Sequence, residues 1–230
     1  MLILALEASG DTASCALWHD GVVCERVCAA GVPSSTTLLP AVAALLGEAG
    51  FALGAVEAVA FGAGPGSFTG VRVACALAQG IAYALGVPVL PISTLAAMAL
   101  GSGASGKVLA VLDARMQEVY FECFAIESGE LVSLDAPGVA PAAGVALPAA
   151  GDVWTVCGNA LAASPLLRER IGERAILLPD VGPTAAAISR LGARMFVAGG
   201  GIAAQLAAPT YVRDRVAQTV AERLAAGGKA

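Results

Sequence analysis

Between an apolar strand pattern, Ala55 to Phe61, and an apolar helical pattern, Val71 to Leu85, the chain reads Phe61-Gly-Ala-Gly-Pro-Gly-Ser-Phe-Thr-Gly-Val-Arg72. The residues there that could do chemistry are Gly64, Pro65, Gly66, Ser67, Thr69, Gly70 and Arg72. Glycines at a strand-to-helix join let backbone N–H groups converge, and a helix N-terminus built that way can hold a phosphate or carboxylate. The same glycines serve equally in a tight structural corner or a partner-facing loop, because they supply positive φ without steric cost. No Gly-Lys-Ser/Thr follows, so the stretch is not a Walker loop. Ser67 and the lack of an acidic residue at the end of the next strand separate it from the dinucleotide fingerprint.

Carboxylates are the other candidates. Glu7 ends the first predicted strand and Asp113 ends the first strand of the second half of the chain, duplicated positions from which an acid could bind magnesium or serve as a base. Asp113-Ala-Arg115 can equally be a local ion pair or a turn. Nucleophilic catalysis has little to draw on: His19 falls in a predicted hairpin turn, and Lys107 adjoins a linker. The six cysteines include no Cys-x-x-Cys, and with one histidine in the chain zinc has no ligand set. Free, buried thiols are expected.

The elements that must position these groups follow from pattern and punctuation. Leu2 to Leu6, Ala13 to Trp18 and Val22 to Val27 read as strands, with Asp20-Gly21 suited to a two-residue turn. A helix from about Thr36 to Ala49, with Ser34 or Ser35 as N-cap, carries Leu38, Leu39, Val42, Leu45 and Leu46 at helical spacing. Strand Val56 to Phe61, the glycine turn, helix Val71 to Leu85 and strand Val87 to Leu90 complete a βββαβαβ order, that of a ribonuclease-H-like half. In the second helix Gly70, Ala74, Ala78 and Ala82 form a smooth ridge, and Val73, Leu77 and Ile81 a second apolar row beside it. One row covers the helix's own sheet; the other needs a neighbouring helix or another chain.

Gly101 to Gly106 reads as a linker, after which the pattern restarts: strands Val108 to Leu112, Glu118 to Ala125 and Leu131 to Ser133. The shared opening implies internal duplication. A Pro/Ala-rich stretch (Pro137 to Pro148), strand Val153 to Cys157, a helix from Pro183 to Arg194, a short Phe196 to Ala198 strand or helix tail, an extended Pro209 to Arg215 segment and a frayed helix from Ala217 to Ala226 follow. The division expected is a first lobe over 1–102, a less regular second lobe over 103–208, and a tail over 209–230 that packs back on the first lobe.

Composition narrows the function classes. With 57% hydrophobic residues but only 5% aromatic, the core must be assembled from small side chains on closely approaching elements. Val73 to Gly106 contains no charged residue, yet Gly86, Pro88 and Pro91 divide it into helix, strand and helix, so a buried α/β core is expected rather than a membrane span. Met1 to Leu6 has no basic flank and meets Glu7 too early for an export signal, so a cytoplasmic location is expected. The net charge is −5, with two lysines against eleven arginines, which does not suit a lone nucleic-acid binder. Arg213 and Arg215 are the one local pair that could add a phosphate contact.

The Phe61 to Arg72 stretch, Ser93-Thr-Leu95, Leu112-Asp-Ala-Arg-Met-Gln-Glu-Val-Tyr120 and Pro209-Thr-Tyr-Val-Arg213, in that order, closely resemble the bacterial TsaB (YeaZ) family over nearly the whole chain. The resemblance implies two ribonuclease-H-like lobes of the actin/sugar-kinase/Hsp70 (ASKHA) superfamily. It also implies a partner rather than a catalyst: a subunit that pairs with its paralogue TsaD and, with TsaE, supports transfer of a threonylcarbamoyl group to N6 of adenosine 37 in tRNAs reading codons that begin with A. An enzyme of the same fold, an ATP-dependent transferase or an M22-like glycoprotease, is the alternative. The contact with TsaD, or with a second copy when TsaD is absent, is expected on the two helices through Leu38, Leu39, Val42, Leu46, Val73, Ala74, Leu77, Ala78 and Ile81. The family's first strand usually ends in aspartate, where this chain has Glu7, and a histidine often found before Leu-Leu-Pro is absent at Ser34 to Thr37. Both departures imply that this chain holds no catalytic metal itself. ATP or ADP and a metal are expected in the partner complex, and tRNA only through it.

Overall fold

The computed structural model describes residues 1–148 and 153–213. Its first half runs β1 (Leu2–Glu7), β2 (Ser14–His19), β3 (Val22–Val27), α1 (Ser34–Ala49), β4 (Ala58–Gly64), α2 (Phe68–Leu85), β5 (Val89–Ser93) and α3 (Thr94–Gly101). The five strands form one sheet in the order β3-β2-β1-β4-β5, antiparallel through β1 and parallel beyond it. The hairpin β2–β3 turns on Asp20 and Gly21, at φ 48° and 89°, the two positive values that a type I′ turn requires. This is the expected βββαβαβ half, extended by α3.

The second half runs β6 (Gly106–Asp113), β7 (Glu118–Glu127), β8 (Glu130–Ser133), β9 (Gly138–Pro141), β10 (Trp154–Cys157), α4 (Ala160–Ala163), α5 (Pro165–Ile171), β11 (Ala175–Leu178) and α6 (Ala185–Val197). Read from β8, its sheet order is β8-β7-β6-β10-β11, the order of the first sheet, with β9 added against β7. The duplication is real, and the chain is a pair of ribonuclease-H-like lobes. The Pro/Ala-rich stretch hides β9, and α4, α5 and β11 also lie outside the sequence expectation. The helix tail at Phe196 is the end of α6.

Packing departs from the expected lobe boundaries. Helices α1 and α2 lie side by side on one face of the first sheet, over Leu4, Leu6, Leu17, Val59 and Phe61. The opposite face of that sheet, Ile3, Ala5, Ala16, Ala60 and Leu90, is covered by α6 through Ala185, Ala187, Ile188 and Ala193. Gly192 makes this possible, since a Cβ there would come within 2.7 Å of the Ala60 Cβ. Conversely α3 packs Leu95, Met98 and Ala99 against Val108, Ala110, Leu112 and Phe124 of the second sheet. Each half therefore covers the other's sheet with its last helix, so residues 185–197 belong by packing to the first lobe. Ile202 follows them there, bridging Val89 antiparallel. The remaining face of the second sheet is closed by α4 and α5 through Leu161, Leu167 and Ile171.

Two helix starts differ from expectation. The N-cap of α1 is Pro33, with Ser34 and Ser35 inside the first turn, and the hydroxyls of Thr36 and Thr37 donate to the Pro33 carbonyl. Helix α2 begins at Phe68 because Ser67 caps it, its Oγ accepting from Gly70 N at 3.4 Å. Helix α2 is also the one helix among the described residues long and apolar enough to cross a membrane. Here its ridge, Gly70, Ala74, Ala78 and Ala82, is buried against the sheet.

Candidate functional site

A cavity of about 750 Å³ lies between the lobes where β1, β4 and β6 end, walled by the β1–β2 turn, the glycine turn, the β6–β7 turn, Asn159 and residues 210–213. Its first wall is dense. Ser67 N donates to the Ser9 carbonyl at 2.8 Å, a Cβ on Gly66 would come within 2.7 Å of Ser9 Cβ, and one on Gly70 within 1.7 Å of the Ala8 carbonyl oxygen. Gly66 and Gly70 are thus required by the approach of two backbones, which supports the corner reading of this turn. Ser67 and Thr69 are exposed beside it. Arg72 is turned back onto its own helix: its guanidinium lies 3.3 Å from the Phe68 ring centroid, with Tyr211 at 5.0 Å beyond, and donates to the Phe68 carbonyl.

The strand-end acids are not free ligands. Glu7 is fully buried; its Oε1 accepts from Ser9 N and Ser9 Oγ, and Ser9 Oγ meets Thr94 Oγ1 at 3.0 Å. Its Oε2 has no partner and rests over Gly62, where a Cβ would come within 1.8 Å. Burial pushes this carboxyl above the usual glutamate range, against the lowering effect of the Ser9 hydrogen bonds and neighbouring amides. Asp113 closes its own turn, accepting from Arg115 N at 2.8 Å and pairing with Arg115 Nη1 at 3.1 Å. Both halves of the sequence reading, ion pair and turn, hold there.

Asn159, which carries no motif that would have revealed it, spans the cleft. Its Oδ1 accepts from Asp113 N at 2.9 Å and its Nδ2 donates to Asp11 at 3.3 Å. Arg213 donates to the Ala114 carbonyl and pairs with Glu118. It is therefore occupied rather than offered to a phosphate, and Arg215 lies outside the described residues. Glu7 faces the interior, while Asp11 and Asp113 are engaged. Among the described residues no group of three His, Cys, Asp or Glu side chains is placed to hold a metal ion.

A second candidate surface is the outer side of α1 and α2. The structure divides the nine residues expected there. Leu38, Val42, Leu46, Ala74, Ala78 and Ile81 are buried in the protein's own core and are withdrawn as contact residues, because the sheet below and the neighbouring helix already cover them. Leu39 is 52% exposed, and Val73 and Leu77 are half-buried. Ala76, Gly80, Tyr83 and Ala84 join them on the exposed side of α2, which has no charged residue from Val73 to Leu85.

A family model described as "TsaD: tRNA N6-adenosine threonylcarbamoyltransferase" matches residues 21–151. The chain is 33% identical to the tRNA threonylcarbamoyladenosine biosynthesis protein TsaB of Escherichia coli K12, over 94% of this chain and 96% of that one. It is 42% identical to the TsaB of Haemophilus influenzae over 53% of this chain and 52% of that one. Among solved structures, YeaZ from Pseudomonas aeruginosa superposes with a TM-score of 0.84 at 36% identity, covering 91% of this chain and 99% of that one. The model's name and the relatives' names differ, and the Escherichia coli relative and the Pseudomonas aeruginosa structure match over nearly the full length of both chains: this chain belongs to the TsaB (YeaZ) family.

Proposed function

We propose that this chain is a non-catalytic, cytoplasmic subunit of the machinery that makes threonylcarbamoyladenosine in tRNA, acting as the scaffold partner of TsaD together with TsaE. The observation that carries this reading is the exposed, charge-free outer side of α2, with Leu39 also exposed on the neighbouring α1. A stable interface hides about 1,200–2,000 Å² around a core depleted of charge. Tyr83 and the shallow Ala76, Gly80 and Ala84 offer such a core to another helix pair, that of TsaD or, without it, of a second copy. The cleft is consistent with the same division of labour, since Asp113 and Arg115, and Glu118 and Arg213, are paired with one another and Arg72 lies on Phe68. Transfer chemistry, the nucleotide and its metal then belong to the assembled complex, and tRNA is met through the partners.

The test is co-purification and calorimetry with TsaD using Leu39→Glu and Ala76→Glu, both at exposed positions. Each variant is expected to melt like the wild type and to bind at least tenfold more weakly. Wild-type affinity in both would overturn the assignment of this face. ATP or peptide turnover by the purified chain that vanished in Asp113→Ala would overturn the non-catalytic reading.

A further inference from the structure

We infer that Pro209 to Arg213 is a clamp that closes the front of the inter-lobe cleft and fixes how far the lobes stand apart. The back of the cleft is held by apolar helix packing, α6 on the first sheet and α3 on the second. At the front, where the strands end, Asn159 to Asp11 is a single long hydrogen bond. The tail segment is the more substantial tie.

Its first anchor is on the first lobe. Thr210 N donates to the Ala63 carbonyl of β4 at 2.7 Å, and its own carbonyl lies so close to Gly64 that a Cβ there would come within 2.9 Å. Tyr211 then lies near the Arg72 guanidinium at the start of α2. The second anchor is on the second lobe: Arg213, its side chain only 17% exposed, bonds Ala114 O and Glu118, with the Tyr120 ring 5.9 Å away. Only Tyr211 and Val212 separate the anchors, three Cα-to-Cα steps with a backbone reach of about 10 Å when fully extended. A strap that short has little slack, so the lobes cannot part by several ångströms without losing one end.

The second anchor holds a strained element. Arg115, Met116 and Gln117 have φ of 60°, 54° and 62°, three successive non-glycine residues in the left-handed region. Such residues cost energy and persist only where their surroundings over-determine them. Arg213 grips Ala114 immediately before this triple and Glu118 immediately after it. The same guanidinium thus ties the lobes and braces the turn that forms the far wall of the cleft.

Amide hydrogen exchange on the full chain tests the clamp, with Arg213→Ala, Arg213→Lys and an insertion of two glycines between Tyr211 and Val212. The insertion keeps both anchors and adds slack. The expectation is at least tenfold faster exchange at both rims, residues 66–70 and 158–160, in Arg213→Ala and in the insertion, less in Arg213→Lys, with α3 and α6 unchanged. Faster exchange confined to residues 113–118 in Arg213→Ala, with the insertion silent, would show a local brace and overturn the clamp. Should Arg213→Ala fail to fold, the insertion and Arg213→Lys decide alone.

Discussion

Replacing Glu7 by glutamine should stabilise this protein at mildly alkaline pH and do little in acid. Glu7 is fully buried with Oε2 unpartnered, and its folded-state pKa is raised above the ordinary 4.5 chiefly by desolvation. Below about that value both folded and unfolded chains carry the proton, and the group contributes no penalty. As pH rises past it the unfolded chain ionises and is favoured, until the folded pKa is reached and the loss levels off. Stability linked to Glu7 is therefore greatest in acid and declines upward. Glutamine keeps a carbonyl oxygen for Ser9 and cannot ionise, so its contribution is flat with pH. The amide nitrogen inherits the unpartnered place of Oε2, so what Glu7→Gln removes is the ionisation penalty alone, about 1.4 kcal/mol for each unit by which burial raises the folded pKa, and each such unit is worth roughly 3–6 °C in melting temperature for a chain this long. Urea unfolding of both proteins at pH 5 and pH 8 isolates the effect, because every other titrating group cancels in the difference. A difference that does not change between the two pH values, or a variant less stable at pH 8, would show that the carboxylate is ionised and satisfied in the fold.

Gly70→Ala should cost about 3 kcal/mol, the upper end for overpacking, because the new methyl meets the Ala8 backbone carbonyl within 1.7 Å and no side chain can yield; thermal melting reads it, and a wild-type melting temperature would refute the close approach. The isolated chain should bind tRNA negligibly at near-physiological salt, since a net charge of −5 leaves little to neutralise phosphates. Filter binding decides this, and tight, salt-sensitive binding would make the protein a direct tRNA-binding subunit. Gly158→Ala should impair folding, because φ is +127° there and a Cβ would come within 1.9 Å of the Val111 carbonyl; normal expression and melting would contradict that.

The first half was legible because its signals are local. Asp20-Gly21 dictates a hairpin, and Gly50 and Gly86 end α1 and α2 in left-handed caps. What was not legible depends on distant partners. Leu38 and Leu39 are adjacent and identical in type, yet one is fully buried and the other 52% exposed, because the direction of the sheet beneath α1 is not written in the helix. Nothing in Ala185 to Val197 announces that it crosses to the other lobe. Asn159 shows no distinguishing spacing, and its importance lies in joining the Asp113 amide to the Asp11 carboxylate. β9 is masked by Pro141 and the alanines around it. The cleft residues were found where they belong to motifs, and their mutual engagement was not, since pairings such as Arg213 with Glu118 form only after the tail returns across the molecule.

The exchange of final helices sets an order of events during synthesis. By the time Ser93 has left the ribosome every strand of the first sheet exists, but the face of Ile3, Ala5 and Ala60 waits for α6, about a hundred residues later. At about 5–20 residues per second that is roughly 5–20 s in which a nascent chain holds an uncovered apolar sheet. Helix α3 waits likewise for the strands of the second sheet. Neither half can mature as an independent folding unit, so the two lobes, which look like modules, are born together or not at all.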